Sequence, residues 1–304
     1  MRAGVLRNPH SHANRRGGER PPPHTDVLFA EPESAGEVAA AVRQFAEAGV
    51  ELLVIDGGDG TVREVLTALP VIYGDAPVPL LSLVASGKTN VLAFDLGIRE
   101  AWTLDAALAA AVRDGSRIRL RSPLHIERAD ATPLRGFLLG AAGVVKAIDM
   151  AQDLHRWGVF KNAAVALTLV GAIAEVVAGR EQGAWRGGQP LSLSLDDGPA
   201  RAGARLATMA TTLERLPFAL RPFGPSRHGL KVLDIDAPPR RLVRALPRVL
   251  WGRDDRWLAA HGYRRADAGR LGLSLAGPVV LDGETYPGGE FTITEGPLLR
   301  FLTP

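Results

Sequence analysis

The 304-residue sequence contains no cysteine. That excludes disulfides and thiolate metal sites and makes a reducing compartment the easy home. Lysine is nearly missing as well: of 36 basic residues only Lys88, Lys146, Lys161 and Lys231 are lysines. The excess of positive charge is just +3, too slight to point to nucleic acid as a partner. Long apolar runs are absent too. The longest, Ala163–Ala174, lies between Lys161-Asn162 and Glu175, well short of the roughly 20 residues that a membrane-spanning helix needs. The opening MRAGVLRNPH has no apolar core of the kind a signal peptide carries. A cytoplasmic protein is therefore expected, with peripheral contact at the inner face of the membrane left open. What is present fits an ordinary globular chain, 46% hydrophobic and 23% charged, long enough for two packed units.

The first third alternates strand-like and helix-like segments. Ala3–Leu6, Asp26–Phe29, Leu52–Ile55 and Leu80–Val84 read as short strands. Ser34–Ala48 carries Val38, Ala41, Val42, Phe45 and Ala46 at helical spacing, with Ser34 as N-cap and Gly49 closing the end. Further helices are expected over Thr61–Leu69, from Val91, and over Trp102–Asp114. Such alternation predicts a mostly parallel sheet wrapped by helices. Beyond Arg117 the pattern becomes period-2, in IRLRSPLHIER, LSLSL (191–195), LKVLDID (230–236) and RLGLSLAG (270–277), which marks a β-rich second domain. Asn162–Val177 and Arg240–Trp251, the latter interrupted by Pro247, read as helices within it. The loop Arg15–His24 reads as mobile.

The chemistry gathers at VIDGGDGTVRE (54–64). A strand ending at the carboxyl edge of a parallel sheet, followed by a helix, is where such folds bind ligands. Glycines let backbone N–H groups turn toward a bound phosphate, and the helix opening adds its positive dipole end. A tight turn would need glycine too. Asp59 favours the ligand, because a carboxylate among phosphate-cradling amides is sensible only with a cation between them, and magnesium suits oxygen donors.

Four segments, in order, resemble the diacylglycerol kinase catalytic-domain family, which includes sphingosine and ceramide kinases. They are Asn8-Pro9 with Ser11, GGDGT at 57–61 with Glu64, SGKTNVLAFDLG at 86–97, and LDGE at 281–284. The resemblance implies an α/β plus β fold: an N-terminal three-layer α/β nucleotide domain and a C-terminal β-sandwich, with the active site in the cleft between them. It suggests a division into 1–118, completed by about 290–304, and 119–289. By resemblance ATP would contact Asn8, Pro9, Ser11, Gly57, Gly58, Asp59, Gly60, Thr61, Glu64, Gly87, Lys88, Thr89 and Asn90. Asp59 would organise Mg²⁺ through the ATP phosphates. Glu284 would be the catalytic base, with Asp282 beside it, and a lipid hydroxyl the acceptor.

Several positions depart from the family pattern. Lys88 stands where threonine is usual; it serves either as a point charge on phosphate or as a solvated loop residue. Val91-Leu92 replaces Asp-Phe, and His12 follows Ser11 where glycine is usual. His228 replaces an aspartate associated with a structural Mg²⁺ in the second domain. Imidazole is a poor magnesium ligand, so no metal is expected there. Asp234 and Asp236 suit strand-face residues better than substitutes for it. Two other readings remain open: an NAD kinase-like enzyme, which shares GGDGT, and a non-catalytic nucleotide- or lipid-binding regulator. Arg241, Arg244 and Arg248 share one face of the 240–257 segment, which reads either as a helix packed on the β domain or as a surface for transient membrane contact. An exposed edge strand leaves a homodimer open.

Overall fold

The computed structural model describes residues 1–16, 27–99, 101–113, 115–129, 131–145 and 187–304. The helix read over Asn162–Val177, and all but the first two residues of the Arg15–His24 loop, lie outside these. The chain divides into two compact units: Met1–Pro123 with Leu134–Gly136 and Gly296–Pro304, and Leu124–Pro133 with Phe137–Glu295.

The first unit is built on β1 (Ala3–Arg7), β2 (Val27–Ala30), β3 (Leu52–Gly57), β4 (Leu80–Ala85) and β5 (Arg117–Arg121). All of β1 and β3 is buried, which is why both read as unbroken apolar runs rather than alternating ones. Its helices are α1 (Ala35–Glu47), α2 (Asp59–Tyr73), α3 (Val91–Asp95) and α4 (Leu104–Ala111). Ser34 caps α1 by accepting from the Glu37 amide. α2 starts two residues earlier than its periodicity suggests, at Asp59, and passes through Pro70 before Gly74 closes it. α4 is shorter than the expected Trp102–Asp114, because the Thr103 hydroxyl caps it by accepting from the Ala106 amide.

The second unit contains β6 (Leu124–Arg128), β7 (Ala131–Gly136), β8 (Leu138–Ala142), β9 (Gln189–Leu195), β10 (Arg201–Thr211), β11 (Leu230–Asp236), β12 (Tyr263–Ala268), β13 (Arg270–Leu275), β14 (Val279–Leu281), β15 (Glu284–Tyr286) and β16 (Gly289–Glu295), the end of β7 counting with the first unit. Its pairings are antiparallel in one branched network ordered β15-β14-β8-β10-β9-β13-β16-β6-β7, with β11 and β12 attached at β10. The branch forms because β10 is long enough to pair β9 along Arg201–Arg205 and β8 along Ala207–Thr211. Helices α5 (Leu242–Leu250) and α6 (Asp255–Ala260) cover Leu233, Ile235 and Tyr263 through Ala245, Val249 and Leu258. The alternating run IRLRSPLHIER, read as part of the β-rich second domain, breaks at Ser122-Pro123 into β5 of one sheet and β6 of the other.

The last strand, β17 (Leu299–Thr303), returns to the first sheet, whose order is β2-β1-β3-β4-β17-β5. Every pairing in it is parallel except β17 with β5. The chain leaves β1 for β2 on one side and reaches β3 on the other. The carboxyl ends of β1 and β3 therefore flank a topological switch point, the place where open α/β sheets bind ligands.

No helix among the described residues is long and apolar enough to cross a membrane.

Candidate functional site

Three loops leave the carboxyl ends of β1, β3 and β4, and their polar groups lock together. The Asn8 side-chain amide donates to Thr61 Oγ1 at 2.8 Å, joining the first loop to the second. Its own Oδ1 accepts from the His10 amide at 2.8 Å, and its carbonyl accepts from Ser11 Oγ at 3.0 Å. Ser11 is buried and Pro9 half-buried, so both shape the loop from within.

The second and third loops meet backbone to backbone at Gly58 and Gly87. A Cβ on Gly87 would lie 2.5 Å from Gly58 Cα, and one on Gly58 would lie 3.0 Å from Gly87 Cα. Neither position tolerates a side chain at this separation. Gly57 is similarly closed, its Cβ position 2.7 Å from the Thr61 side chain, whereas Gly60 has nothing within 4 Å and borders open space. The third loop is held by Asn90, in left-handed geometry with φ 49°. Its Oδ1 accepts from the Gly87 amide at 3.0 Å, and its Nδ2 donates to Gly87 O at 2.9 Å. Lys88 and Thr89 are exposed at the tip, and the Lys88 ammonium makes no hydrogen bond or ion pair among the described residues.

α2 opens at Gly58 with no side-chain cap, so its first-turn amides and the positive end of its dipole face out from this cluster. The Asp59 carboxylate accepts from the Val91 amide at 3.2 Å and so bridges α2 to the start of α3. Burial pushes its pKa up, opposed by hydrogen bonds from the amides of residues 90–92 and from the Thr89 hydroxyl. Glu64, one turn into α2, lies 3.6 Å from the Arg63 guanidinium.

Behind the loops stands a residue that carries no motif. Asp56, at 5% exposure, accepts from Asn14 Nδ2 at 3.1 Å and from Ser86 Oγ, and lies 3.6 Å from Arg7 Nε. One carboxylate thus ties together the chain after β1, the end of β3 and the end of β4. In sequence it is only the polar end of an apolar strand. Arg135 is a second residue without a motif. Its amide donates to Thr67 Oγ1 on α2 at 3.2 Å, its Nε is buried without a hydrogen-bond partner among the described residues, and burial pushes its pKa down.

In the second unit, Asp282 and Gly283 form the two-residue turn between β14 and β15, with φ of 48° and 87°. Both signs suit a type I′ hairpin. The Asp282 carboxylate accepts from the amides of Phe137, at 3.0 and 3.1 Å, and Leu138, at 2.9 Å. Those bonds fix the turn to the start of β8, so the Asp282 carboxylate anchors the hairpin on which Glu284 follows. Glu284 begins β15 with an exposed carboxylate that has no hydrogen bond or ion pair among the described residues.

Metal-like places are scarce. Among the described residues no three His, Asp or Glu stand together as a metal site. His228 is 86% exposed and pairs with Glu214 Oε1 at 2.8 Å. Asp234 and Asp236 are taken up by arginines: Asp234 by Arg205 at 2.9 Å, Asp236 by Arg264 at 2.7 Å.

Residues 22–120 match the model of the diacylglycerol kinase catalytic domain. A stretch of 77 residues is 40% identical to the probable lipid kinase YegS of Shigella flexneri and to that of Escherichia coli O157:H7. That stretch is 25% of this chain and 25% of each relative. A crystal structure of a diacylglycerol kinase from Bacillus anthracis is similar over 100% of this chain and 97% of its own, with a TM-score of 0.63 at 13% identity. A further structure from the same organism reaches 0.67 at 14%. At such identities the structural likeness establishes the fold. In sequence the segment 22–120 thus resembles a diacylglycerol kinase catalytic domain, and the chain as a whole has a two-domain fold like that of those bacterial structures.

Proposed function

We propose that this chain is a lipid kinase that transfers the γ-phosphate of ATP to a hydroxyl of diacylglycerol or a related lipid. The observation that carries it is the three-loop cluster at the switch point: closed glycines at 57, 58 and 87, open space at Gly60, and an uncapped 15-residue helix aimed outward. Polyphosphate suits such a place, since amides and helix dipole supply partial positive charge without a side chain in the way.

Asn8, Gly57 to Thr61 and Gly87 to Asn90 would hold the nucleotide, with the Lys88 ammonium free to reach a phosphate. A magnesium ion fits beside Asp59. The donor is a carboxylate oxygen, its ionised form is disfavoured by burial, and no described residue forms an ion pair with it. When bound, that ion supplies neutralisation of charge on the β- and γ-phosphates.

Glu284 carries the proton chemistry. As the lipid hydroxyl oxygen bonds to the γ-phosphorus, its proton passes to the Glu284 carboxylate. The bond from the γ-phosphorus to the β–γ bridging oxygen breaks, and ADP leaves with that oxygen. Asp282 holds the turn that presents the base. General-base assistance of this kind contributes about 10²–10⁴-fold.

The test is transfer of labelled γ-phosphate from Mg-ATP to diacylglycerol, monoacylglycerol, phosphatidylglycerol, ceramide and sphingosine in mixed micelles. A labelled lipid product supports the proposal and names the substrate class. Nucleotide binding without any labelled lipid would overturn it.

A further inference from the structure

Helix α5 has two apolar stripes, and the fold uses only one. Ala245 and Val249 point into the core of the second unit against Leu233, Ile235 and Tyr263. Val243, Pro247 and Trp251, spaced i, i+4 and i+8 along one face, all remain exposed, Val243 at 61% and Trp251 at 56%. A helix that packs on a domain through one face ordinarily turns polar residues outward. Here the outward face is apolar, and a large ring next to it is exposed as well.

That ring is Phe218, 57% exposed, in a short 3₁₀ turn over Pro217–Ala219. Its backbone sits in the left-handed region at φ 61°, a conformation that a bulky residue rarely adopts. The turn belongs to the same surface. The Arg221 amide donates to Leu250 O at 2.7 Å, and Gly252 lies so close to Arg221 that a Cβ there would be 3.0 Å from its carbonyl. Phe218 and Trp251 thus flank one junction.

The charge around these side chains that has no ion-pair partner among the described residues is positive. Arg221, Arg240, Arg241, Arg244 and Arg253 are all exposed and form no ion pair with any described residue. The two acidic residues of the segment are already engaged: Asp254 lies 3.0 Å from Arg248, and Asp255 pairs with Arg265. Arginine is the cation suited to phosphate diesters, with a planar fork of donors and weak hydration. An apolar stripe bearing tryptophan and phenylalanine, rimmed by unpaired arginines, is the chemistry of an amphipathic surface seated in the headgroup layer of an anionic bilayer.

We infer that the outward face of α5, Val243, Pro247 and Trp251, together with Phe218 and the surrounding arginines, docks this chain on an anionic lipid bilayer. The inference rests on the reading of the chain as a lipid kinase, because it says how the enzyme reaches an acceptor that resides in a membrane. Tryptophan and phenylalanine enter the interface while the arginines meet lipid phosphates. Bilayer binding then requires both anionic lipid and the apolar stripe.

The test is co-sedimentation of the full chain with vesicles of phosphatidylcholine alone and of phosphatidylcholine mixed with phosphatidylglycerol. Wild type is expected to bind the mixed vesicles at least about tenfold more tightly, with binding that weakens as salt rises. The double substitution Val243→Ser with Trp251→Ser, and separately Arg221→Glu with Arg253→Glu, should each cost about tenfold or more. These side chains are exposed, so each variant is expected to keep the wild-type melting temperature. Equal binding to both vesicle types, no binding, or wild-type binding by both variants would overturn the inference. So would a concentration-dependent dimer abolished by Val243→Ser with Trp251→Ser, since the stripe would then seat a second copy. Phosphate transfer to a short-chain, water-soluble diacylglycerol separates the two levels. If transfer is absent while anionic vesicles are still bound through the stripe, the kinase reading falls and the docking surface stands. If transfer to the soluble lipid persists in both variants while vesicle binding is unchanged, the surface falls and the kinase stands.

Discussion

The ammonium of Lys231 donates a hydrogen bond to the carbonyl of Gly229 across 2.9 Å. It donates to two more carbonyls, Arg227 at 2.9 Å and Thr212 at 3.3 Å, and the residue is 2% exposed. A cage of backbone carbonyls is a place that a metal ion could occupy, and here a side-chain cation occupies it. The loop that ends at Gly229 is therefore tied down by the Lys231 ammonium, in the segment where His228 stands in place of an acidic residue. Chelation of divalent ions from the nucleotide-free protein is expected to leave the melting temperature unchanged. Lys231→Met strands one buried and two partly buried carbonyl acceptors and is expected to cost about 1–3 kcal/mol, read by denaturant titration. A melting temperature that falls on chelation would contradict this account.

The contact between Gly58 and Gly87 makes a contrast within one motif. Gly87→Ala forces two backbones apart and is expected to cost about 1–3 kcal/mol and to weaken ATP binding. Gly60→Ala meets nothing within 4 Å and replaces a helical glycine, so stability is expected to hold or rise by up to about 1 kcal/mol. ATP binding should nevertheless weaken, because the methyl enters the space proposed for phosphate. Thermal melts with and without Mg-ATP read both quantities at once.

Asp59 is the place where binding and stability oppose each other. Its folded pKa is raised above the ordinary value by burial, so the ionised carboxylate destabilises the free protein above that pKa, and the penalty is relieved as pH falls. Asp59→Asn fixes a neutral group that still accepts from the Val91 amide. At neutral pH the variant is expected to melt higher than wild type without nucleotide, and to lose the further rise that Mg-ATP gives wild type. A variant that melts lower, or keeps the Mg-ATP shift, would contradict the assignment.

Local signals carried much of the fold into the sequence, and long-range ones did not. Ser34 was legible as a cap because its partner Glu37 is three residues away, and β1 and β3 because complete burial leaves an unbroken apolar run. The break of IRLRSPLHIER between two sheets was not legible, since alternation continues across Ser122-Pro123 whichever sheet each half joins. Within the site, the glycines showed as motifs, yet Asp56 did not. Its role depends on Asn14 and Ser86, which lie 42 and 30 residues away. Asp282 was legible as part of a turn, but its carboxylate is spent on amides 144 and 145 positions away. The outward stripe of α5 was only partly legible: the arginines at 241, 244 and 248 with Trp251 offered a surface for membrane contact, but Val243 and Pro247 did not stand out beside them.

The arginine network on β11 and β12 sets the acid limb of stability. Asp236 is held below the ordinary carboxylate range, first by its hydrogen bonds from Arg264, at 2.7 Å each, and then by the charges of Arg264, Arg205 and Arg201. A depressed carboxyl contributes stability that is present above its unfolded pKa, near 3.8, and is lost as pH falls through the lower folded value. Asp236→Asn is expected to flatten the loss of stability below about pH 4 and to cost under about 1 kcal/mol at neutral pH, since the pair is partly exposed to solvent. Urea unfolding at several pH values gives the slope directly.

The central claim is that an exposed carboxylate at the start of β15 is the base of a phosphoryl transfer. The measurement that tests it most directly is the rate of labelled phosphate transfer from Mg-ATP to the preferred lipid by wild type and by Glu284→Gln, at matched ATP occupancy. The account predicts an unchanged melting temperature, because the Glu284 carboxylate bonds no described residue, with turnover reduced about 10²–10⁴-fold. A Glu284→Gln enzyme that turns over at the wild-type rate would contradict it.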